Sequence, residues 1–201
     1  MATVEIFFDY SSPFAYLGST QIERVARESD ATLVWKPFLL GALFKAIGTP
    51  LVPIAAMSEP KRRYLLRDMQ VWAAHWGVPL VYPSRFPLRT VKALRLTLLA
   101  PEATRVALIH RLMRAAWVDD SDVEDDHALR GYARDAGVDP ALVAELGLPR
   151  AKELLVAATD EAVRRDVPGA PTFIVDGHVL WGQDRLDFVA KTLRGWRPSV
   201  G

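Results

Sequence analysis

Two serines stand ahead of a proline in Asp9-Tyr10-Ser11-Ser12-Pro13-Phe14, where an apolar run gives way to a helical pattern. Proline is well suited to the first position of a helix. The N–H groups of that first turn lack intrahelical partners and carry partial positive charge, so an anion placed there is stabilised. A serine hydroxyl at the same point can donate a hydrogen bond to the anion. The other role open to Ser11 or Ser12 is to cap the helix. Neither serine is followed three residues on by Glu or Gln, so the pair does not make a capping box.

A thiolate is one anion such a site can hold, and the chain cannot supply it. There is no cysteine among the 201 residues. Disulfides, zinc–thiolate centres, iron–sulfur clusters and protein-thiol catalysis are excluded, so thiol chemistry needs a thiol brought by a ligand. A free thiol of pKa ~8.5 is roughly one-tenth ionised or less near neutrality. Lowering that value by about two makes most of it thiolate and takes about 2.7 kcal/mol, which a hydroxyl donor and a helix N-terminus can supply.

Two further groups of residues could meet such a ligand. Val167-Pro168-Gly169-Ala170-Pro171-Thr172-Phe173 sets a proline directly before an apolar strand. About 5–6% of X–Pro bonds are cis. A cis Pro171 would turn the N–H and C=O of Ala170 outward to pair with an extended peptide, as in strand addition; a trans proline would simply start the strand. Trp181-Gly182-Gln183-Asp184-Arg185 opens the last helix. There Asp184 can cap that helix or accept from the ammonium of a γ-glutamyl group.

These groups need a scaffold that joins the two ends of the chain. Val4, Ile6 and Phe8 alternate through a strand with Phe7 also apolar, which reads as burial on both faces. Phe14, Leu17, Ile22 and Val25 follow at helical spacing, and residues 31–35 form a second strand closed by Pro37. Such a short strand–helix–strand unit favours parallel pairing. Near the other end, residues 172–175 and 178–181 are strands joined by Asp176-Gly177, a two-residue hairpin signal. A closing helix runs from Asp184 to Leu193. Between the ends the pattern is helical: 60–76, with a stripe of Leu65, Met69, Trp72 and Trp76, then 89–100, 102–118, 125–136, 139–147 and 149–166. A βαβ start, a ββα end and a helical middle give an α/β, thioredoxin-like fold with a large all-helical insertion. Residues 1–37 and 167–201 form the discontinuous thioredoxin-like domain, and residues 38–166 form the insertion domain.

Phe8-Asp9-x-x-Ser12-Pro13-Phe14-x-Tyr16-Leu17, Trp35-Lys36-Pro37-Phe38-Leu39-Leu40-Gly41, Gly169-Ala170-Pro171-Thr172-Phe173 and Trp181-Gly182-Gln183-Asp184-Arg185 occur in that order. Together they resemble the 2-hydroxychromene-2-carboxylate isomerases, which stand with the kappa-class glutathione transferases among DsbA-type thioredoxin-fold proteins. The resemblance implies a glutathione-dependent cis–trans isomerase acting on 2-hydroxychromene-2-carboxylate or a similar ring-cleavage product in aromatic catabolism. A kappa-like glutathione transferase is the alternative. It implies Ser12 on the glutathione sulfur, Ala170 before a cis Pro171 on the cysteinyl backbone, and Gln183 with Asp184 on the γ-glutamyl group. The resemblance also implies Phe14, Thr49, Lys61, Asp68 and Pro171 in the glutathione site and Lys45, Tyr64 and Arg89 on the substrate. Thr49 stands where many relatives have Asn, and Asp166-Val167-Pro168 where many have Gly-x-Phe.

Lys61, Tyr64 and Asp68 match a run in the family's insertion, and their spacing sets them on one helix face. That face can border the cleft or form a solvated network. Lys45 matches a family lysine near the substrate, and with Arg85 and Arg89 it can receive a substrate carboxylate or remain a surface cation. Relatives are often dimers, so a homodimer is implied.

Composition narrows the partners. Lys plus Arg (25) nearly balances Asp plus Glu (24), for a net charge of +1, which gives no reason to expect nucleic acid or membrane. No apolar run reaches the roughly 18 residues of a bilayer span, and the first residues lack a signal-peptide pattern; the expectation is a cytoplasmic protein. The acidic run 119–126 has Glu124 where a calcium loop needs Gly, so it reads as a loop that caps the next helix. His75, His110, His127 and His178 show no ligand spacing, and no metal site is expected.

Overall fold

The computed structural model describes residues 2–197. Met1 and residues 198–201, the outermost ends of the expected thioredoxin-like domain, lie outside the described residues.

Strand β1 (Ala2–Phe8) carries Val4, Ile6, Phe7 and Phe8 fully buried. Its charge, Glu5, is held by Arg165 at 2.7 Å and Lys36 at 3.7 Å. Helix α1 (Pro13–Glu28) begins with proline at its first position and leads to β2 (Ala31–Pro37), which pairs parallel with β1 from Ala2↔Ala31 to Phe8↔Pro37. β3 (Thr172–Val175) lies antiparallel on the other side of β1 and pairs with β4 (His178–Trp181), giving the order β2-β1-β3-β4 with β2 and β4 at the edges. The β3–β4 turn has Asp176 at φ 48° and Gly177 at φ 81°, the left-handed pair that an Asp-Gly hairpin requires.

Between β2 and β3 run α2 (Leu40–Ile47), α3 (Glu59–Trp76), α4 (Val91–Leu99), α5 (Glu102–Trp117), α6 (Asp126–Asp135) and α7 (Pro149–Arg164). Helix α8 (Leu186–Leu193) closes the described chain. The result is the thioredoxin fold with a helical insertion, and one apolar core runs from Ile6 and Phe173 in the sheet to Leu112 and Trp117 in α5.

The helices differ from expectation in four places. Helix α2 has no counterpart among the expected helices. Residues 139–147 form a 3₁₀ turn, Pro140–Glu145, rather than a helix. The closing helix is split: Gln183–Arg185 is a 3₁₀ turn, and α8 starts at Leu186. On α3, Met69 is buried with Ala73, but Leu65, Trp72 and Trp76 are half-buried. Leu65 and Trp72 line an open cleft, which accounts for their partial exposure. The acidic run behaves as expected at its end: Asp125 caps α6 by accepting from the Ala128 N–H at 2.8 Å.

Candidate active site

The loop from β1 to α1 is fixed from behind before any ligand is considered. Tyr10 is fully buried, its hydroxyl 2.6 Å from Thr97 Oγ1 on α4, and its carbonyl accepts from Trp117 Nε1 at 2.7 Å. Burial pushes the Tyr10 phenol well above its ordinary range, so it stays neutral.

Asp9 fixes the same loop from the side. Its Oδ1 accepts from the Ser11 N–H at 2.9 Å and the Thr90 hydroxyl at 2.7 Å; its Oδ2 accepts from the Leu40 N–H at 2.8 Å. Those donors sit at the starts of α1, α4 and α2. Three helix N-termini therefore converge on one buried carboxylate, a favourable place for negative charge. Burial pushes the Asp9 carboxyl above its ordinary value, and the hydrogen bonds from Ser11, Leu40 and Thr90 pull against that rise. The Ser11 and Leu40 N–H groups can only donate, so both carboxyl oxygens of Asp9 act as acceptors here.

With the loop held, Ser12 becomes the N-cap of α1. Its Oγ accepts from the Ala15 N–H at 3.2 Å and donates to the Ala170 carbonyl at 2.7 Å. The capping role is therefore filled, and the hydroxyl also bridges the two ends of the chain. The Ala170–Pro171 bond is cis. Among the described residues no acceptor meets the Ala170 N–H.

Ser12 and Ala170 open onto a cleft of about 810 Å³. Phe14, Thr49, Asp68, Gln183, Asp184 and Arg89 line it too. Gln183 is buried, whereas Asp184 is exposed and makes no capping bond; its carboxylate has only Arg185, at 3.7 Å. The capping alternative for Asp184 is thus set aside. Pro171 sits behind Ala170, its ring against Gly18 of α1 and its carbonyl accepting from the Gly182 N–H at 2.9 Å.

Four of the expected residues lie elsewhere. Lys61 and Tyr64 line a neighbouring hollow of about 410 Å³, which shares Met57 and Leu65 with the cleft. Lys45 is exposed on α2 and outside the lining. Arg85 donates to the Asp120 carbonyl at 3.2 Å, away from the cleft. Arg89 and Arg185 are the cations that line it.

Sequence reasoning gave no role to Asp9, though the motif contains it, nor to Thr90. It also read Trp72 as core, whereas Trp72, Tyr82 and Phe86 form an aromatic wall of the cleft. The signal available for that wall was the apolar stripe of α3 with too few partners to cover it.

Fold and site together define a thioredoxin-type protein with a serine at the start of its first helix and a peptide-sized cleft above it. The chain matches the DSBA-like thioredoxin domain over residues 3–194. It belongs to that family, on the branch that holds the 2-hydroxychromene-2-carboxylate isomerases and kappa-class glutathione transferases. It is 31% identical to the 2-hydroxychromene-2-carboxylate isomerase of Sphingobium xenophagum, covering 95% of this chain and 97% of that one. It is 26% identical to glutathione S-transferase kappa 1 of Homo sapiens, covering 95% and 90%. A solved structure of a 2-hydroxychromene-2-carboxylate isomerase superposes with a TM-score of 0.87 at 25% identity, covering 96% of this chain and 94% of that one.

Proposed function

We propose that this protein is an isomerase that uses glutathione as a cofactor to convert 2-hydroxychromene-2-carboxylate, or a similar aromatic ring-cleavage product, to its trans-alkene isomer. The observation that carries the reading is the Ser12 hydroxyl 2.7 Å from the Ala170 carbonyl, in a cleft of a chain that has no thiol of its own.

The residues fit glutathione. Ser12 is a hydroxyl at a helix N-terminus, suited to a thiolate. Ala170 offers an N–H without an acceptor to the cysteinyl backbone. Gln183 and the uncapped Asp184 carboxylate suit the γ-glutamyl ammonium and amide. Thr49, Asp68 and Phe14 complete the surface that would hold the peptide. When bound, glutathione would supply a thiolate nucleophile for reversible addition to the conjugated alkene, chemistry in which it is not consumed. Arg89 receives the substrate carboxylate and draws charge away from the alkene. The wall of Trp72, Tyr82 and Phe86 takes the aromatic ring and keeps water away.

Purified protein mixed with 2-hydroxychromene-2-carboxylate tests this by absorbance. A rate that requires glutathione, without net loss of free thiol, is the expected result; no glutathione-dependent change in folded protein overturns it. The kappa-class relative supports a second reading, conjugation of glutathione to small electrophiles. Stoichiometric thiol loss with chlorodinitrobenzene distinguishes the two. In either case the setting is the cytoplasm, and a homodimer is part of the same reading.

A further inference from the structure

A hydroxyl has one proton to give. In Ser12 that proton goes to the Ala170 carbonyl at 2.7 Å, and a lone pair of the same oxygen receives the Ala15 N–H at 3.2 Å. Ser12 is 5% exposed and Ala170 8%, so water is poorly placed to substitute for either partner. The hydroxyl that would stabilise a sulfur anion is therefore already committed to the protein.

Releasing it carries a penalty. Turning the proton toward a sulfur leaves a buried carbonyl without its donor, which is unfavourable by roughly tenfold to a hundredfold in equilibrium constant. That loss is made good if an amide N–H arrives on the Ala170 carbonyl as the proton leaves. A peptide ligand lying antiparallel along residue 170 brings such an N–H, and its own carbonyl meets the Ala170 N–H. The Ala15 N–H continues to hold the Ser12 oxygen, so only the hydrogen moves.

We propose that Ser12 turns its O–H to donate a hydrogen bond to a ligand sulfur only when a ligand amide N–H replaces it on the Ala170 carbonyl, so the site activates thiols set beside a peptide N–H and does not activate simple thiols through Ser12. This rests on the reading of glutathione as the ligand. It makes backbone recognition a condition of thiol activation rather than a separate source of affinity. No bond is made or broken except the thiol S–H, whose proton passes to solvent.

The test is the thiol pKa of the bound ligand, read from the ultraviolet absorption of the thiolate. Glutathione is compared with its depsipeptide analogue, in which an ester oxygen replaces the N–H between the γ-glutamyl and cysteinyl groups. Binding of each is followed by calorimetry so that both are read at saturation. We expect glutathione's thiol to ionise at least tenfold more readily when bound. The analogue should bind more weakly and, once bound, ionise less readily than bound glutathione, keeping only the help of the α1 N-terminus. Equal ionisation of the two bound ligands overturns the proposal while leaving glutathione as the ligand. Failure of glutathione to bind at all overturns the proposal and the reading beneath it.

Discussion

Ser12 and Asp9 do unlike work three positions apart. Ser12 caps α1 and bridges to Ala170. Ser12→Ala should cost about 1–2 kcal/mol of stability through the lost cap and lower turnover by one to several powers of ten; steady-state rates beside a denaturant midpoint separate the two effects. Asp9 has its pKa raised from 3.8, burial being the largest cause. Because the folded value lies above the unfolded one, the folded chain takes up this proton at higher pH. Through that window Asp9 makes the fold more stable as pH falls, not less. Activity should do the reverse, since a protonated carboxyl can no longer accept from all of its donors. A pH profile should therefore show activity failing on the acid side, above pH 3.8, while circular dichroism still reports folded protein. In Asp9→Asn that limb should vanish at a uniformly reduced rate, because the new amide sets a donor against the Leu40 N–H. The chemistry of Ser12 was legible in the sequence because a helix start announces itself locally. That of Asp9 was not, since its partners come from residues 40 and 90.

Helix α2 shows the same limit among the elements. It is short, contains Gly41, and has Leu39 at its cap position with no side-chain bond. Its first N–H is capped by Asp9, far earlier in the chain, so no local start signal exists and the sequence reading passed over it. The strands were readable because β1 and β3 bury both faces and the turn between β3 and β4 carries its own residue code. Close approach between elements leads to two paired expectations. Gly18 lets α1 lie on Pro171; a Cβ there would stand 3.2 Å from the Pro171 ring and 3.3 Å from Phe173. Gly18→Ala gains about 1 kcal/mol in helix propensity but meets overpacking of about 1–3 kcal/mol. It also shifts Ala170 relative to Ser12. The melting temperature should not rise, and activity should fall at least about tenfold. Gly131→Ala on α6 meets nothing within 4 Å and should stabilise without touching activity. Gly169 is a different case: its Cβ would come 2.8 Å from the Trp181 indole nitrogen. Trp181 is 57% exposed, so Gly169→Ala should swing the indole out of the cleft. Altered tryptophan emission and weaker glutathione binding, at nearly constant melting temperature, would show it.

At the scale of the whole molecule, the sheet and the inserted helices share one core. Thermal unfolding should be a single transition. Glutathione at a hundredfold excess over its Kd should add about 2.7 kcal/mol, which calorimetry can measure; a transition indifferent to glutathione would argue against a native-state site. Fold class was legible from the two ends of the chain, where strands and turns have local codes. The cleft was legible only in part, because Lys45, Lys61 and Tyr64 share helices with residues that line it without lining it themselves.

The bridge from Ser12 to Ala170 joins residues 158 positions apart. Translation delivers them in order, so a growing chain displays its serine long before the carbonyl that receives its proton exists. Until residues 172–175 emerge, β1 has β2 on one side and an open edge on the other, the kind of surface that invites wrong pairings. Strands β3 and β4, made after the inserted helices, therefore finish both the described sheet and the site. Ligand binding during synthesis would report a chain made past β3, and a ribosome-bound fragment ending before residue 170 should show none.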